Sequence, residues 1–159
     1  MDISYKINTD GTKRRFNYRV AAILEHEGKL LIHKPVGMDY TYIPGGRVQI
    51  GESSEDAVKR ELREELDISL NIVGVPYVVE NFFEYDGEIY HELSFFFKVT
   101  TQDTQNLPKE GEIRDNVAFF WRDADDIEDL NLKPEFLAAA FKEMPTTTKH
   151  IINYGNNLK

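Results

Sequence analysis

The chain has 159 residues, a formal net charge of −9 and no cysteine. With no repeat or long polar linker, that length suits one domain with a sizeable core. The acidic balance argues against a duplex-DNA binder, whose phosphate contacts need clustered Lys and Arg. The missing cysteines remove disulfide and thiolate chemistry, and no apolar stretch reaches the length of a signal-peptide core or membrane span, so a soluble cytoplasmic protein without membrane contact is expected.

Lys13-Arg14-Arg15 is too short to be more than surface charge. Two apolar runs, Val20 to Leu24 and Leu30 to Ile32, flank a polar stretch containing Gly28, and this spacing predicts a hairpin. The second strand leaves through His33, Lys34 and Pro35 into a loop that ends at Gly45-Gly46, a pair that lets the backbone turn sharply beside a ligand. His33, Lys34 and Arg47 are candidate phosphate contacts, weighed against simple solvation of strand ends.

Val58, Leu62 and Leu66 recur every fourth residue and predict a helix over Ser54 to Leu66 with an apolar stripe. Glu61, Glu64 and Glu65 fall on one face beside that stripe, and like charges at such spacing repel. A solvated acidic face interleaved with Lys59, Arg60 and Arg63 is the plain explanation. A divalent cation held over the carboxylates is the functional one, and oxygen ligands in a chain without cysteine favour magnesium or manganese over zinc.

Beyond the helix, Asn71 to Tyr85 and Ile89 to Thr100 read as strands joined at Asp86-Gly87, with Phe95-Phe96-Phe97 as core. Glu92 interrupts the second of these strands. Turned inward, its carboxylate needs a partner, which a metal on the neighbouring helix would supply; turned outward, it needs none. Residues 101–116 read as a polar loop carrying Glu110, Glu112 and Asp115. Val117 to Trp121 is a predicted strand, Asp123 to Asp129 an acidic turn or short helix, and Pro134 starts a predicted helix from Glu135 to Met144. Thr146 to Lys159 is expected to be a polar tail with only Ile151, Ile152 and Tyr154 to dock.

The stretch Gly46 to Ile68 resembles the Nudix box, G-x5-E-x7-R-E-U-x-E-E-x-G-U with U aliphatic, through Gly46, Glu52, Arg60, Glu61, Leu62, Glu64, Glu65 and Ile68. Only the last glycine departs: Asp67 stands there, where helices often exit through a left-handed residue. The resemblance covers about 19–144. It implies an α+β fold, the Nudix α/β/α sandwich with a curved mixed sheet and the box as loop-helix-loop.

The implied activity is metal-dependent hydrolysis of a nucleoside diphosphate linked to another moiety. Glu61, Glu65 and the Gly46 carbonyl would hold Mg²⁺ or Mn²⁺, with Glu64 a ligand directly or through water. Arg60 would orient these carboxylates, Glu52 would be structural, and the base would be a box glutamate or a loop acid, Glu112 or Glu110. Arg47, His33, Lys34, Tyr85 and Glu92 are candidate substrate contacts. The implied partner is a nucleotide-type diphosphate, and a homodimer is left open.

Two rival functions belong to other classes. An isoprenoid-diphosphate isomerase is disfavoured by the absence of cysteine. A non-catalytic nucleotide-binding module is disfavoured by the full set of box carboxylates. On substrate, the proline about sixteen residues past the box that marks many ADP-ribose hydrolases is absent, Glu84 standing there, and the motif typical of NADH pyrophosphatases is missing. The tyrosine at the next position, typical of many diadenosine polyphosphate hydrolases, is present as Tyr85.

Overall fold

Strand β2, Thr12–His26, alternates side chains between two faces, and both faces are used. Val20, Ala22 and Leu24 enter one apolar cluster and Ile23 the other, while Asn17 and Arg19 share the face of Ile23 nearer the start of the strand. In the computed structural model, which describes residues 1–155, β2 pairs along its length with β1 (Ser4–Thr9), β3 (Lys29–Pro35), β4 (Gly45–Arg47) and, in parallel, β6 (Glu88–Thr100). With β5 (Asn71–Tyr85), β7 (Ile113–Arg114), β8 (Val117–Arg122) and β9 (Lys149–Tyr154), these make a mixed sheet with the path β7-β8-β3-β2-β6-β5-β9, β1 and β4 pairing onto β2.

Four hairpins among the described residues turn on two residues that both have positive φ: Asp10-Gly11, Glu27-Gly28, Asp86-Gly87 and, between β7 and β8, Asp115-Asn116. This is the geometry whose twist matches the flanking strands. The second and third are the expected hairpins. The first, which joins β1 to β2, was not anticipated, because β1 is short and largely exposed; Asp10-Gly11 was its available signal.

Helix α1, Ser54–Leu66, starts at Ser53, whose side chain accepts from the Asp56 amide, and buries Ala57, Val58, Leu62 and Leu66. It ends at Asp67 in the left-handed conformation (φ 56°, ψ 42°), with the Asp67 amide donating to the Arg63 carbonyl. An aspartate therefore makes the exit that glycine makes more cheaply. Val20 and Leu24 of β2, Leu31 of β3, Val99 of β6 and Val58, Leu62 and Leu66 of α1, with Ile68 just past the helix, form one core layer. The other lies across the sheet, where Ile23, Ile32, Val79 and Phe96 meet Ile127 of a 3-10 segment (Ala124–Leu130) and Leu137 of helix α2 (Phe136–Ala140). Helices on both faces make this an α/β/α sandwich.

Three expectations need correction. The stretch 101–116 is not wholly loop: it contains a 3-10 turn at Thr104–Asn106 and strand β7. The predicted helix over Glu135 to Met144 is only Phe136–Ala140, its last turn tightened by the Lys142 amide bonding to Ala139, before Pro145 disfavours helical backbone at Met144. The polar tail is a strand. β9 adds in parallel to the free edge of β5, where Ile151 packs against the second core layer and His150 lies 2.9 Å from Glu80. Residues 156–159 of that tail lie outside the described residues.

Candidate active site

Arg60 uses all five of its N–H donors. Nε and Nη2 grip Glu52 at 2.8 and 3.0 Å, Nη2 also reaches the Arg47 carbonyl at 3.0 Å, and Nη1 donates to Glu61 at 2.8 Å and Glu64 at 3.2 Å. Glu52 accepts the Gln49 amide besides, so the turn before α1 is tied to the helix through this one carboxylate and guanidinium. The Arg60 hydrogen bonds hold the Glu52 carboxyl below its ordinary range. Glu61 lies against the backbone of the turn: a Cβ at position 46 would stand 2.1 Å from its carboxylate carbon, so any larger residue there would displace Glu61 from this place.

Glu65 sits one helical turn further on and faces a cavity of about 750 Å³. Burial, reinforced by the charges of Glu61 and Glu64 and opposed by Arg19, pushes its carboxyl up to about 8. The side-chain polar atoms buried without a partner among the described residues are Glu65 Oε2, Arg47 Nε and both ring nitrogens of His33, and all three residues line this cavity. His33 is 2% exposed, packed against Tyr42 and Phe119. Burial and then the Arg19 charge push its imidazole down to about 3, against a small opposing effect of the Ile43 backbone, although neither ring nitrogen makes a hydrogen bond.

From Glu65 the cavity runs across one face of the sheet. Its walls alternate at period two: Asn17 and Arg19 on β2, Asn81 and Phe83 on β5, Tyr90 and Glu92 on β6. Tyr85, half exposed, stands at the rim, edge-on to Tyr90 at 6.4 Å.

His33, Arg47, Glu65, Tyr85 and Glu92 are thus brought together, whereas Lys34, next to His33 on β3, does not line the cavity, as the alternation of a strand requires. Glu92 finds the partner its burial demands in Asn17, at 2.8 Å, and Arg19, at 3.8 Å, rather than in a metal on α1. Glu110 and Glu112 are not brought to this cavity. Glu110 accepts from the Trp121 amide and Arg122, and Glu112 from the Lys109 amide and Arg114; those donors hold the Glu112 carboxyl low.

Among the described residues no three acidic or histidine side chains already converge as a metal cage, because Glu61 and Glu64 are turned to Arg60. The donor set nevertheless fits a divalent cation: Glu65 Oε2 is buried without a partner, and Glu61 lies against the Gly46 backbone where a Cβ would exclude it. Arg19, Asn17, Asn81 and Tyr90 escaped the sequence reading. Their signal was polar residues recurring at period two within strands otherwise apolar.

Residues 14–143 match the NUDIX domain. CTP pyrophosphohydrolase of Escherichia coli (strain K12) is 40% identical over 76 residues, covering 45% of this chain and 55% of that protein, so the chain spans little more than half the length of this curated relative. The solution structure of the E. coli ORF135 protein is 28% identical with a TM-score of 0.55 and covers 80% of this chain and 89% of that one. The MutT protein from Bacillus halodurans is 22% identical, a likeness of fold alone, with a TM-score of 0.62 over 84% of this chain and 89% of that one. No helix among the described residues is long and apolar enough to cross a membrane. The domain match over most of the sequence, the sandwich architecture and the box geometry around Arg60 agree: this chain belongs to the Nudix hydrolase family.

Proposed function

We propose that this protein is a metal-dependent pyrophosphohydrolase of nucleoside polyphosphates, cleaving the anhydride bond next to the nucleoside-bearing phosphate. The supporting observation is that the buried, unpartnered polar atoms of His33, Arg47 and Glu65 all belong to one cavity wall, where each would otherwise cost about 1–3 kcal/mol. A polyphosphate offers acceptors for Arg47 and His33, and a cation offers Glu65 a partner.

Glu61, Glu64, Glu65 and the Gly46 carbonyl are the residues that would hold Mg²⁺ or Mn²⁺. When bound, such an ion polarises the phosphoryl oxygens and acidifies a coordinated water. Arg60 keeps Glu61 and Glu64 in reach of one another by neutralising part of their repulsion. Arg19 and Arg47 supply positive charge for the phosphates in a chain that is acidic overall. The water oxygen bonds to phosphorus, the anhydride P–O bond breaks, the leaving phosphate takes the electron pair, and the water's proton passes to a carboxylate. In this reading the base is a box carboxylate, supported by the engagement of Glu110 with the Trp121 amide and Arg122 and of Glu112 with Arg114.

The E. coli relative's name favours a nucleoside triphosphate over the diadenosine polyphosphate that Tyr85 suggests, and Tyr85 has an ordinary aromatic neighbour in Tyr90. Phosphate release from nucleoside triphosphates, diadenosine tetraphosphate and ADP-ribose, with magnesium and with chelator, tests this reading. Chelator-sensitive release from a triphosphate is expected. Tight binding of one compound with no release from any would point instead to a non-catalytic nucleotide-binding module.

A further inference from the structure

Four side chains in register cross the floor of the cavity. Asn17 of β2 pairs with Glu92 of β6, Glu92 with Asn81 of β5, and Asn81 with Asn153 of β9. All four line the cavity, and strand spacing puts them about 4.8 Å apart. Hydrogen bonds fix both ends of the row. Ser4 Oγ donates to Asn17 Oδ1 at 2.7 Å, Asn17 Nδ2 to Glu92 Oε1 at 2.8 Å, and Asn153 Nδ2 to Asn81 Oδ1 at 2.7 Å. The Arg19 guanidinium, 3.8 Å from Glu92, balances its charge.

These bonds decide what remains for a ligand. With its Oε1 taken by Asn17, Glu92 offers Oε2, an acceptor. With its carbonyl taken by Asn153, Asn81 offers its amide nitrogen, a donor. Acceptor and donor stand side by side at neighbouring positions of two paired strands. Tyr90 and Phe83, stacked at 4.9 Å, flank them with aromatic surface suited to a planar ring.

We infer that this row reads the base of the nucleotide, and that it selects a base with an exocyclic amine beside an unprotonated ring nitrogen: a 4-aminopyrimidine or 6-aminopurine. The amine donates to Glu92 and the ring nitrogen accepts from Asn81. A base with a carbonyl in place of that amine would set its oxygen against the Glu92 carboxylate and its ring N–H against the Asn81 amide, two like-against-like contacts. Asn153 is a positioning residue. It holds the Asn81 amide in the donating orientation, and it lies on β9, beyond the residues of the domain match.

This inference rests on the nucleotide reading of the cavity, but its test does not depend on turnover. Calorimetric titration of the whole protein with CMP, AMP, UMP and GMP, and with ribose 5-phosphate as a baseless control, reads the base contribution directly. Wild type is expected to bind CMP or AMP about tenfold more tightly than UMP. Glu92→Gln and Asn81→Asp are each expected to bring that ratio within about threefold, over and above the change in ribose 5-phosphate affinity that the altered charge beside Arg19 produces. Asn153→Ala should do so partially, and Asn153→Gln should restore part of the loss.

Equal affinity of wild type for all four monophosphates, or no binding of any, overturns the inference. So does a fall in Glu92→Gln and Asn81→Asp that is equal for every base and for ribose 5-phosphate, since that marks a folding defect of the sheet rather than lost reading. Selective binding without hydrolysis of any triphosphate would sink the hydrolase reading and leave this one standing. Hydrolysis with no discrimination between bases would do the reverse.

Discussion

At the carboxylate end of the cavity Arg60 finds its partners one, four, eight and thirteen positions away in the chain, whereas at the sheet end Asn81 meets Asn153 across 72 positions and Asn17 meets Glu92 across 75. The first end is one turn and one helix, whose geometry follows once the helix forms. The second exists only when four strands have found their register. In the proposed reading, the box chemistry is therefore carried by a local unit, and base selection by long-range pairing.

Glu65→Gln is the sharpest way to break the local end. It removes a carboxylate that would hold the cation while keeping the side chain's shape, and metal-dependent turnover is expected to fall by about 100-fold or more, with an unchanged thermal melt. Full activity would remove Glu65 from the machinery. Between the two ends stands His33. Folding holds it neutral down to about pH 3, while the unfolded chain takes up that proton near its ordinary value of 6.5. In that window the unfolded chain binds the extra proton, so stability present above pH 6.5 is lost as pH falls toward 3, on the order of a few kcal/mol. Urea denaturation of wild type and His33→Asn, above and below the window, should show the acid loss shrinking in the variant; parallel losses would assign it to other groups.

Arg60→Lys keeps the charge but not the five-donor fork, so Glu52 and Glu61 lose their shared clamp. Partial exposure limits the cost to about 1–2 kcal/mol, read as a lower urea midpoint, with turnover reduced alongside. The smallest effect is expected at Glu112→Gln. Lying off the cavity and bound to Arg114, it should change turnover by less than about threefold and leave the urea midpoint close to that of wild type. A large loss of turnover with the fold intact would return the base to that loop.

The same contrast explains what the sequence disclosed. The bounds of α1, the left-handed exit at Asp67 and the Glu27-Gly28 and Asp86-Gly87 hairpins were all legible, because each depends on residues within a turn or two of one another. The carboxylates were legible for the same reason. The strand in the tail was not: Lys149–Tyr154 has little apolar character of its own and becomes a strand because β5 leaves an edge to pair with. Glu92 shows the limit most clearly. Its burial was open to inference, but its partner was Asn17 of a strand 75 positions upstream, which no local pattern announces.

Because β9 follows every other strand in chain order, the order of synthesis bears on how the cavity is completed. Chains fold as they emerge, N-terminal parts first. The turn and helix that carry Glu61 and Glu65 leave the ribosome well before Lys149–Tyr154, and until that strand docks, Asn81 has no neighbour to hold its amide. A chain in which β9 has not yet docked would thus carry the box carboxylates without the Asn153 contact on which the inferred base reading depends. On the base-reading inference, loss of Lys149–Tyr154 would cost selectivity before it cost turnover.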